Sequence, residues 1–293
     1  MVQIGAHVST EGGILTAFER ARAIGAEAVQ VHPSPPQTWR RLHPDQETTA
    51  EFRRRMDQTG LDAFFFHAAY LINLATARED LLAQSTGSLR HHLELANQLG
   101  ARGVIFHPGS HKGQGFEAVL PQMAEAMRRA LAESEGESLL IIENSAGAGA
   151  NIGSSFAQIR QMMEAVDHPR VRFCLDTAHA FTAGYDLRDS EGLAKTVDEL
   201  EREIGFDRLA AIHINDSKAP FGSNLDRHQN IGDGEIGAEA FGRILADPQL
   251  TRAPLILEVP GLERTGPDRA NVERLRKLAG LPPLAPAPLP LAD

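Results

Sequence analysis

Short apolar segments alternate with longer helix-like segments along almost the whole chain, and this alternation constrains the fold more than any other feature. The longer segments, such as 81–99, 116–131 and 155–166, carry apolar residues at helical spacing. The short segments are almost continuously apolar, which is typical of parallel strands covered on both faces. The predicted strands are 2–7, 28–31, 63–67, 103–107, 139–143, 171–176, 210–214 and 255–259.

Eight strand–helix units within 293 residues predict an α/β fold, a single-domain (β/α)8 TIM barrel over residues 1–280. An open, doubly wound sheet is the alternative architecture. The remaining sequence, "LPPLAPAPLPLAD" (281–293), is rich in proline and cannot extend a helix. We expect it to form an extended, mobile C-terminal tail.

Composition and charge narrow the class of protein. A formal net charge of −10 argues against a general polyanion binder, because such binding requires excess lysine and arginine. The single cysteine excludes an internal disulfide and favours a reducing compartment. The N-terminal sequence "MVQIGAHVST" lacks the features of a secretory signal, and no apolar run reaches the length of a membrane span. We therefore expect a cytoplasmic protein with no membrane association.

Six consecutive predicted strands, from the third to the eighth, end in a residue that can bind a metal ion. In chain order these residues are His67, His107, Glu143, Asp176, His213 and Glu258. His179 follows three positions after Asp176, and the loop sequence "LDRH" adds Asp226 and His228. The carboxyl ends of barrel strands surround one common mouth, so all nine donors are predicted to meet there.

Taken one at a time, these residues would have ordinary explanations. A lone histidine at a strand end is usually a hydrogen-bonded structural residue, and a lone carboxylate there often caps the next helix. Four carboxylates in one barrel mouth, however, are strongly unfavourable unless cations neutralise them. Imidazole and carboxylate donors without a thiolate favour zinc, with manganese or iron as alternatives. Nine donors suffice for three ions if one carboxylate bridges two of them, and three divalent ions would bring the net charge to about −4.

Several other residues carry expectations of their own. Cys174 has the same strand parity as Asp176 and should point into the barrel one layer below the site, as a small core residue. His7, at the end of the first strand, should contact a metal ligand or the substrate. Four histidines of the helical and loop segments are expected to be solvated, namely His43, His91, His92 and His168.

From about residue 2 to residue 280 the sequence resembles the endonuclease IV family of apurinic/apyrimidinic endonucleases. The resemblance is carried by "IGAHVS", "HPGSH", "LDTAHAFTAGYD" and "HINDSKAPFGSNLDRHQNIGDGEIG". It implies a monomeric enzyme of base excision repair with a TIM barrel and a trinuclear zinc site that activates a hydroxide. Such an enzyme cleaves the phosphodiester 5′ to an abasic site in duplex DNA, leaves a 3′-hydroxyl, and trims blocked 3′ ends.

The resemblance also implies roles for individual residues. One zinc would be held by His67, His107 and Glu143, a second by Glu143, Asp176, His213 and Glu258, and a third by His179, Asp226 and His228. Glu143 and Glu258 would be the catalytic carboxylates, with Glu143 bridging two ions. The residues expected to contact the substrate are Arg227, Tyr70, Leu71, His7 and Lys218.

Charge and loop composition extend this expectation to the DNA. Lys112, Lys218, Arg227 and Arg264 are predicted near the mouth, where phosphate contacts would be sensitive to salt. Tyr70 and Leu71 follow the predicted ligand His67 and would enter the base stack as a wedge, or else pack their own loop over the barrel.

The loop "HPSPPQTW" departs from the family pattern. It carries Pro35 and Gln37 where an asparagine and an arginine are usual. The missing arginine is associated with DNA contact, so affinity for DNA or the range of lesions should differ.

Two other functions remain open at this point. A xylose-isomerase-like sugar isomerase or epimerase would use the same barrel with one or two metal ions, and would not need the third donor set. A non-catalytic, metal-bound scaffold would use the proline-rich tail to dock partners and would hydrolyse no phosphodiester.

Overall fold

The structure is a computed structural model that describes residues 2–61 and 63–286. Its centre is a closed barrel of eight parallel strands in the order β1-β10-β7-β6-β5-β4-β3-β2. The barrel strands are β1 (Ile4–His7), β2 (Val29–Val31), β3 (Phe64–His67), β4 (Gly103–Phe106), β5 (Leu139–Glu143), β6 (Val171–Asp176), β7 (Leu209–His213) and β10 (Leu255–Leu257). The predicted (β/α)8 barrel is confirmed, and the open sheet is wrong because β1 pairs with both β2 and β10.

Helices lie between and after the barrel strands along the chain. They are α1 (Thr16–Ile24), α2 (Gln46–Thr59), α3 (Glu79–Leu99), α4 (Phe116–Ala132), α5 (Phe156–Val166), α6 (Thr177–Ala183), α7 (Ser190–Glu203), α8 (Ala238–Ala246) and α9 (Arg269–Leu278). Side-chain caps define several starts: Asp45 accepts from Thr48 N, and Ser155 accepts from Gln158 N. Of the helices in the described ranges, none combines the length and apolar character that a membrane crossing requires.

A short antiparallel pair of strands interrupts the alternation above the barrel. It consists of β8 (Asp216–Ser217) and β9 (His228–Gln229), with Ser217 opposite His228. The buried Asp216 carboxylate accepts hydrogen bonds from the backbone N–H groups of Gly232, Gly234 and Ile236. This carboxylate therefore organises the loop that follows His228 and holds that loop against the barrel.

The apolar core has two parts. The larger part lies between the strands and the helices. The smaller part fills the barrel interior with Ala28, Ala63, Phe65, Ile105, Ile141, Cys174, Ala211 and Ile256. Cys174 thus points into the barrel below Asp176, as predicted, and burial raises the pKa of its thiol to about 11.

The expectation that His91 and His92 are solvated is wrong. Both lie on α3 and are only 7% and 5% exposed, because this long helix packs between α2 and α4. His91 Nε2 lies 2.9 Å from Leu42 O, and His92 Nδ1 lies 2.7 Å from Ser88 O. Burial lowers the pKa of each imidazole to about 4. His43 is exposed and His168 is half-buried.

The first residues of the predicted tail lie against the barrel. Leu284 packs on the core, and a Cβ atom at Gly25 would come within 2.4 Å of its side chain. Arg276 Nε donates to Pro282 O at 3.0 Å. Residues 287–293 lie outside the described residues, so the extended course of the tail and the boundary at residue 280 stay predictions.

Candidate metal centre and nucleic-acid interface

All nine predicted donor residues meet at the carboxyl-terminal mouth of the barrel. Donor atoms lie within 4.8 Å of one another in each of three groups. The groups are His67, His107 and Glu143; Glu143, Asp176, His213 and Glu258; and Asp176, His179 and His228. The first two reproduce the donor sets that the family resemblance implied.

Glu143 occupies the centre of the cluster and is fully buried. Its Oε2 lies 3.1 Å from His67 Nε2 and 3.3 Å from His107 Nε2. Its Oε1 lies 2.9 Å from His213 Nδ1 and 3.4 Å from His179 Nδ1. Each carboxylate oxygen therefore faces a different set of imidazoles, which is the geometry that a bridging ligand requires.

The third predicted set is present, and the structure adds a residue to it. Asp226 places Oδ2 3.3 Å from His179 Nε2 and Oδ1 3.4 Å from His228 Nε2. Asp176 Oδ2 lies 3.6 Å from the same His228 nitrogen. Both imidazole nitrogens are buried, and neither has a hydrogen-bond partner among the described residues. Two buried imidazole nitrogens that converge beside two carboxylates fit a cation.

Four of the five imidazoles have one nitrogen engaged outside the cluster. Nδ1 of His67 lies 2.9 Å from Ala68 O, and Nδ1 of His179 lies 2.9 Å from Asn144 O. Nδ1 of His228 lies 3.4 Å from Glu258 O. A carbonyl oxygen only accepts, so each of these nitrogens carries a proton. Nε2, which faces the carboxylates, donates a second proton to them while no cation is bound, and the neutral tautomer offers its lone pair there. This tautomer is the one that a metal ligand needs.

His213 has the opposite arrangement with the same result. Its Nε2 lies 2.8 Å from Gln30 Oε1, so the N–H donates there. Its Nδ1 then faces Glu143 Oε1 at 2.9 Å and Glu258 Oε2 at 3.2 Å. Nδ1 of His213 therefore also faces the cluster, where it donates to the carboxylates while it is protonated and offers a lone pair to a cation once it is not.

The charges of the cluster depend on one another. Burial alone would raise the pKa of Glu143 and of Glu258, but the imidazoles around them outweigh burial and hold both pKa values well below the usual range. Burial alone would lower the pKa of His179, but the carboxylates of Asp176 and Asp226 raise it well above the usual range. Protons thus balance the carboxylates when no cation does, and a cation that binds here would displace them.

Three amide side chains support the donors, and the sequence analysis missed all three. The fully buried Gln30 donates from Nε2 to Glu258 Oε1 at 2.6 Å while it accepts from His213. Asn215 Nδ2 donates to Asp176 Oδ2 at 2.7 Å. Asn144 accepts from Asp176 N at 2.7 Å. The sequence did contain signals for them. Gln30 is a polar residue within the apolar strand "VQV". Asn144 directly follows the donor Glu143 in "EN", and Asn215 lies two positions after the donor His213 in "HIN".

His7 lies at the edge of the cluster, next to one of its carboxylates. Its Nδ1 lies 3.1 Å from Glu258 Oε1 and 2.8 Å from Gln30 Nε2. Its ring also lines a cleft of about 810 Å³ that runs past His32 to Arg40 and Arg41. The sequence predicts that His7 contacts a metal ligand or the substrate. Its position is compatible with both, because it contacts the predicted ligand Glu258 and borders an open cleft.

Basic side chains line a second cleft beside the cluster. Lys218, Arg227 and Arg264 border a cleft of about 520 Å³ together with His228. Lys112 lies on the exposed loop after β4 and does not line this cleft. The structure therefore brings three of the four predicted cations together and separates the fourth from them.

Tyr70 and Leu71 differ in their surroundings. Tyr70 is 59% exposed and borders a cleft of about 200 Å³ together with His107, His179 and Asp226. Leu71 is half-buried and does not line that cleft. Tyr70 N donates to Pro36 O at 3.0 Å, so the loop that departs from the family pattern directly contacts the predicted wedge.

Comparison with known proteins identifies the family. Residues 18–278 match the family described as xylose isomerase-like TIM barrel. The chain is 37% identical over 280 residues to the probable endonuclease 4 of Chloroflexus aurantiacus, covering 95% of this chain and 98% of that protein. It is 36% identical over 283 residues to the probable endonuclease 4 of Methanoculleus marisnigri, covering 96% and 100% of the two chains. This chain belongs to the endonuclease IV family.

Solved structures agree with membership of the endonuclease IV family. The crystal structure of endonuclease IV from Thermus thermophilus superposes with a TM-score of 0.83 at 32% identity and covers 95% of this chain and 99% of its own. A D-tagatose 3-epimerase-like protein superposes with a TM-score of 0.68 at 15% identity, covering 95% and 96% of the two chains. The second similarity reflects a shared barrel and carries no further argument about activity.

Proposed function

We propose that this chain is a DNA-repair endonuclease that hydrolyses the phosphodiester 5′ to abasic sites in duplex DNA, leaves a 3′-hydroxyl, and trims blocked 3′ ends. One observation carries the proposal: four imidazoles each have one nitrogen tied down and direct the other at buried carboxylates. This arrangement is costly unless cations complete it. Membership of the endonuclease IV family supports the same conclusion.

The proposed cofactor is zinc, three ions per chain, with manganese or iron as possible occupants of part of the site. The ions would be held by the sets that the sequence analysis named, with Glu143 shared by two and with Asp176 close to the third set. Bound zinc would lower the pKa of water and stabilise negative charge on the phosphate. Glu143 and Glu258 remain the proposed catalytic carboxylates: Glu143 belongs to two donor groups, and both carboxylates face Nδ1 of His213.

Substrate binding is proposed to depend on the basic cleft beside the cluster. The cleft places Lys218, Arg227 and Arg264 beside His228, so a phosphate chain bound there would lead directly to the donor groups. The formal net charge of −10 opposes general affinity for DNA. Binding should therefore rest on this local positive surface and on bound cations, and should weaken steeply with added salt.

Tyr70 and Leu71 are proposed to open the duplex. A phosphodiester in a stacked duplex does not reach a recessed cluster unless the helix bends and the abasic nucleotide leaves the stack. Unstacking costs a few kcal/mol per step, and an inserted side chain offsets part of this cost. Tyr70 is suited to this role because it is exposed and lies at the rim between His107 and Asp226.

The competing functions make different predictions. A sugar isomerase would need no third donor set and no basic cleft beside it. A non-catalytic scaffold would leave phosphodiesters intact even when loaded with metal.

We further propose that the active protein is a cytoplasmic monomer. Light scattering coupled to size-exclusion chromatography would test the oligomeric state.

The decisive experiment is a cleavage assay on the metal-loaded protein. The substrate is a duplex with one abasic site and a label at the 5′ end, and the control is the same duplex without the lesion. We expect a single cut 5′ to the site and a product that a polymerase extends, since extension requires a 3′-hydroxyl. Protein with a full complement of metal that leaves the abasic duplex intact would overturn the proposed function.

A further inference from the structure

His32 lies between the candidate metal centre and Tyr70, although it belongs to none of the proposed ligand sets. It directly follows β2, and its backbone carbonyl accepts from Thr10 Oγ1 at 2.9 Å. Its Nδ1 lies 3.1 Å from His67 O, and its Nε2 lies 3.2 Å from the Tyr70 hydroxyl. The His32 imidazole thus connects the backbone of His67, a proposed zinc ligand, to the side chain of Tyr70, the proposed wedge.

The two contacts determine the tautomer of His32. The His67 carbonyl only accepts, so Nδ1 carries the proton. Nε2 then has only a lone pair and accepts the hydrogen of the Tyr70 hydroxyl. Burial lowers the pKa of His32 to about 2, which agrees with a neutral ring that donates once and accepts once.

Ring packing restricts His32 as well. Its ring centroid lies 4.6 Å from that of His7, 5.0 Å from that of His67 and 5.0 Å from that of Tyr70, with the last two in edge-to-face geometry. Tyr70 lacks such enclosure because more than half of its surface is open to solvent. An exposed phenol otherwise exchanges between rotamers, and ordering it during binding would cost entropy.

We infer that His32 is a positioning residue that holds the Tyr70 side chain in one orientation at the rim, ready to enter the base stack. This inference rests on the proposed role of Tyr70 as a wedge. It predicts that His32 contributes to use of duplex DNA through the Tyr70 hydroxyl, without contributing to hydrolysis at the metal centre.

The first test is a double-mutant cycle with His32→Phe, Tyr70→Phe and the double variant. Phenylalanine keeps a ring at either position and removes the hydrogen bond between them. Each single variant should raise KM for an abasic duplex about three- to tenfold, the range for one lost hydrogen bond. The double variant should resemble His32→Phe, because Tyr70→Phe removes only the hydrogen bond that His32→Phe has already removed. The metal content of His32→Phe and its hydrolysis of a small, unstacked phosphodiester should match those of the wild type.

Tyr185→Phe is the matched control. Tyr185 is the other tyrosine of the chain, and its hydroxyl binds Phe156 N at 3.0 Å and Glu199 at 3.2 Å, among helices outside the mouth. This variant should leave KM for the duplex unchanged. Effects of His32→Phe and Tyr70→Phe that multiply in the double variant would overturn the inference, since they would act independently.

The second test needs no activity. Protein labelled with 3-fluorotyrosine should give two ¹⁹F resonances, assigned with Tyr70→Phe and Tyr185→Phe. His32→Phe should move the chemical shift of Tyr70 toward the value of a freely rotating, solvent-exposed fluorotyrosine. The chemical shift of Tyr185 should stay the same. An unshifted Tyr70 resonance would overturn the inference, whatever the assay on DNA gives. Failure of the wild-type protein to cleave the abasic duplex would instead overturn the proposed function.

Discussion

Glu143 Oε1 lies 2.9 Å from His213 Nδ1, although the two residues are 70 positions apart in the chain. The opposite nitrogen of His213 is occupied by Gln30, so Nδ1 is the nitrogen that faces the carboxylates. Glu143 Oε2 meanwhile faces His67 and His107. The two oxygens of one buried carboxylate thus join two donor groups, and the metal content of the protein should depend on Glu143 more than on any residue at the rim.

Replacing Glu143 by alanine should therefore remove two ions. Elemental analysis of active wild-type protein should find close to three zinc ions per chain. Glu143→Ala should lose about two, because it deprives two groups of a shared donor. Asp226→Ala is the control, since its carboxylate lies beside His179 and His228 of one donor set and its loss should cost about one ion. Full activity with a single ion would contradict the trinuclear centre.

Gln30→Leu should weaken metal binding without replacing a proposed ligand. The change leaves the buried N–H of His213 without an acceptor and removes one donor from Glu258, which keeps its contact with His7. We expect a loss of zinc affinity of about 10- to 100-fold and a loss of unfolding free energy of about 1–3 kcal/mol. Competition with a chelator and urea unfolding would measure the two effects.

The control for Gln30 is Gln122→Leu. Gln122 donates to the backbone carbonyls of Leu74 and Thr76, away from the donor cluster. This variant should lower stability with little change in zinc affinity. Equal zinc affinities of the two variants would argue against a role of Gln30 in orienting His213.

Arg227→Ala should impair use of abasic DNA more than Lys112→Ala. Arg227 lies between Asp226 and His228 and lines the basic cleft, whereas Lys112 lies outside it. The slope of the logarithm of the DNA-binding constant against the logarithm of the salt concentration should become shallower in Arg227→Ala, by the amount that corresponds to about one phosphate contact. Binding isotherms at several salt concentrations would measure this slope, and equal, negligible effects of both variants would show that Arg227 makes no phosphate contact.

The double variant Tyr70→Ala, Leu71→Ala should lose cleavage of an abasic duplex and keep hydrolysis of a small, unstacked phosphodiester. The reason is that the wedge offsets unstacking, a cost that only the duplex carries. Gln37 stands where the family usually has an arginine, so this chain should depend strongly on the wedge. Parallel loss of both activities together with metal would favour the packing role, and normal duplex cleavage would exclude the wedge.

Protonation of His92 should destabilise the fold in mild acid. Its pKa is lowered to about 4 in the folded protein, below the value of about 6.5 for an exposed histidine. The unfolded chain therefore binds the proton first as pH falls below about 6.5, and stability is lost down to about pH 4, by about 3 kcal/mol at most. Urea unfolding should show a smaller loss in His92→Leu than in wild type. Identical pH profiles of the two proteins would contradict this prediction.

The barrel, and the convergence of the nine proposed donors at its mouth, could be predicted from the sequence because both depend on local patterns. Continuous apolar segments separated by helical periodicity specify parallel strands, and parallel strands in a closed barrel bring their carboxyl ends to one mouth. His67 and Glu258 could thus be placed in the same cluster although His67 ends the third barrel strand and Glu258 directly follows the last one. The family motifs pointed in the same direction, and membership of the endonuclease IV family is confirmed by the comparisons.

Only the tertiary structure decided which nitrogen of each imidazole faces the cluster and which amides hold it there. Gln30 and Glu258 are 228 positions apart. The residues around "VQV" do not indicate that the Gln30 amide contacts the Glu258 carboxylate, which directly follows the last strand. The burial of His92 and the contact of His32 with Tyr70 could likewise not be predicted from the sequence, because each depends on how neighbouring helices and loops pack. Sequence periodicity determines which element a residue occupies and which face it presents, whereas hydrogen-bond partners are set by side chains that become neighbours only when the barrel closes.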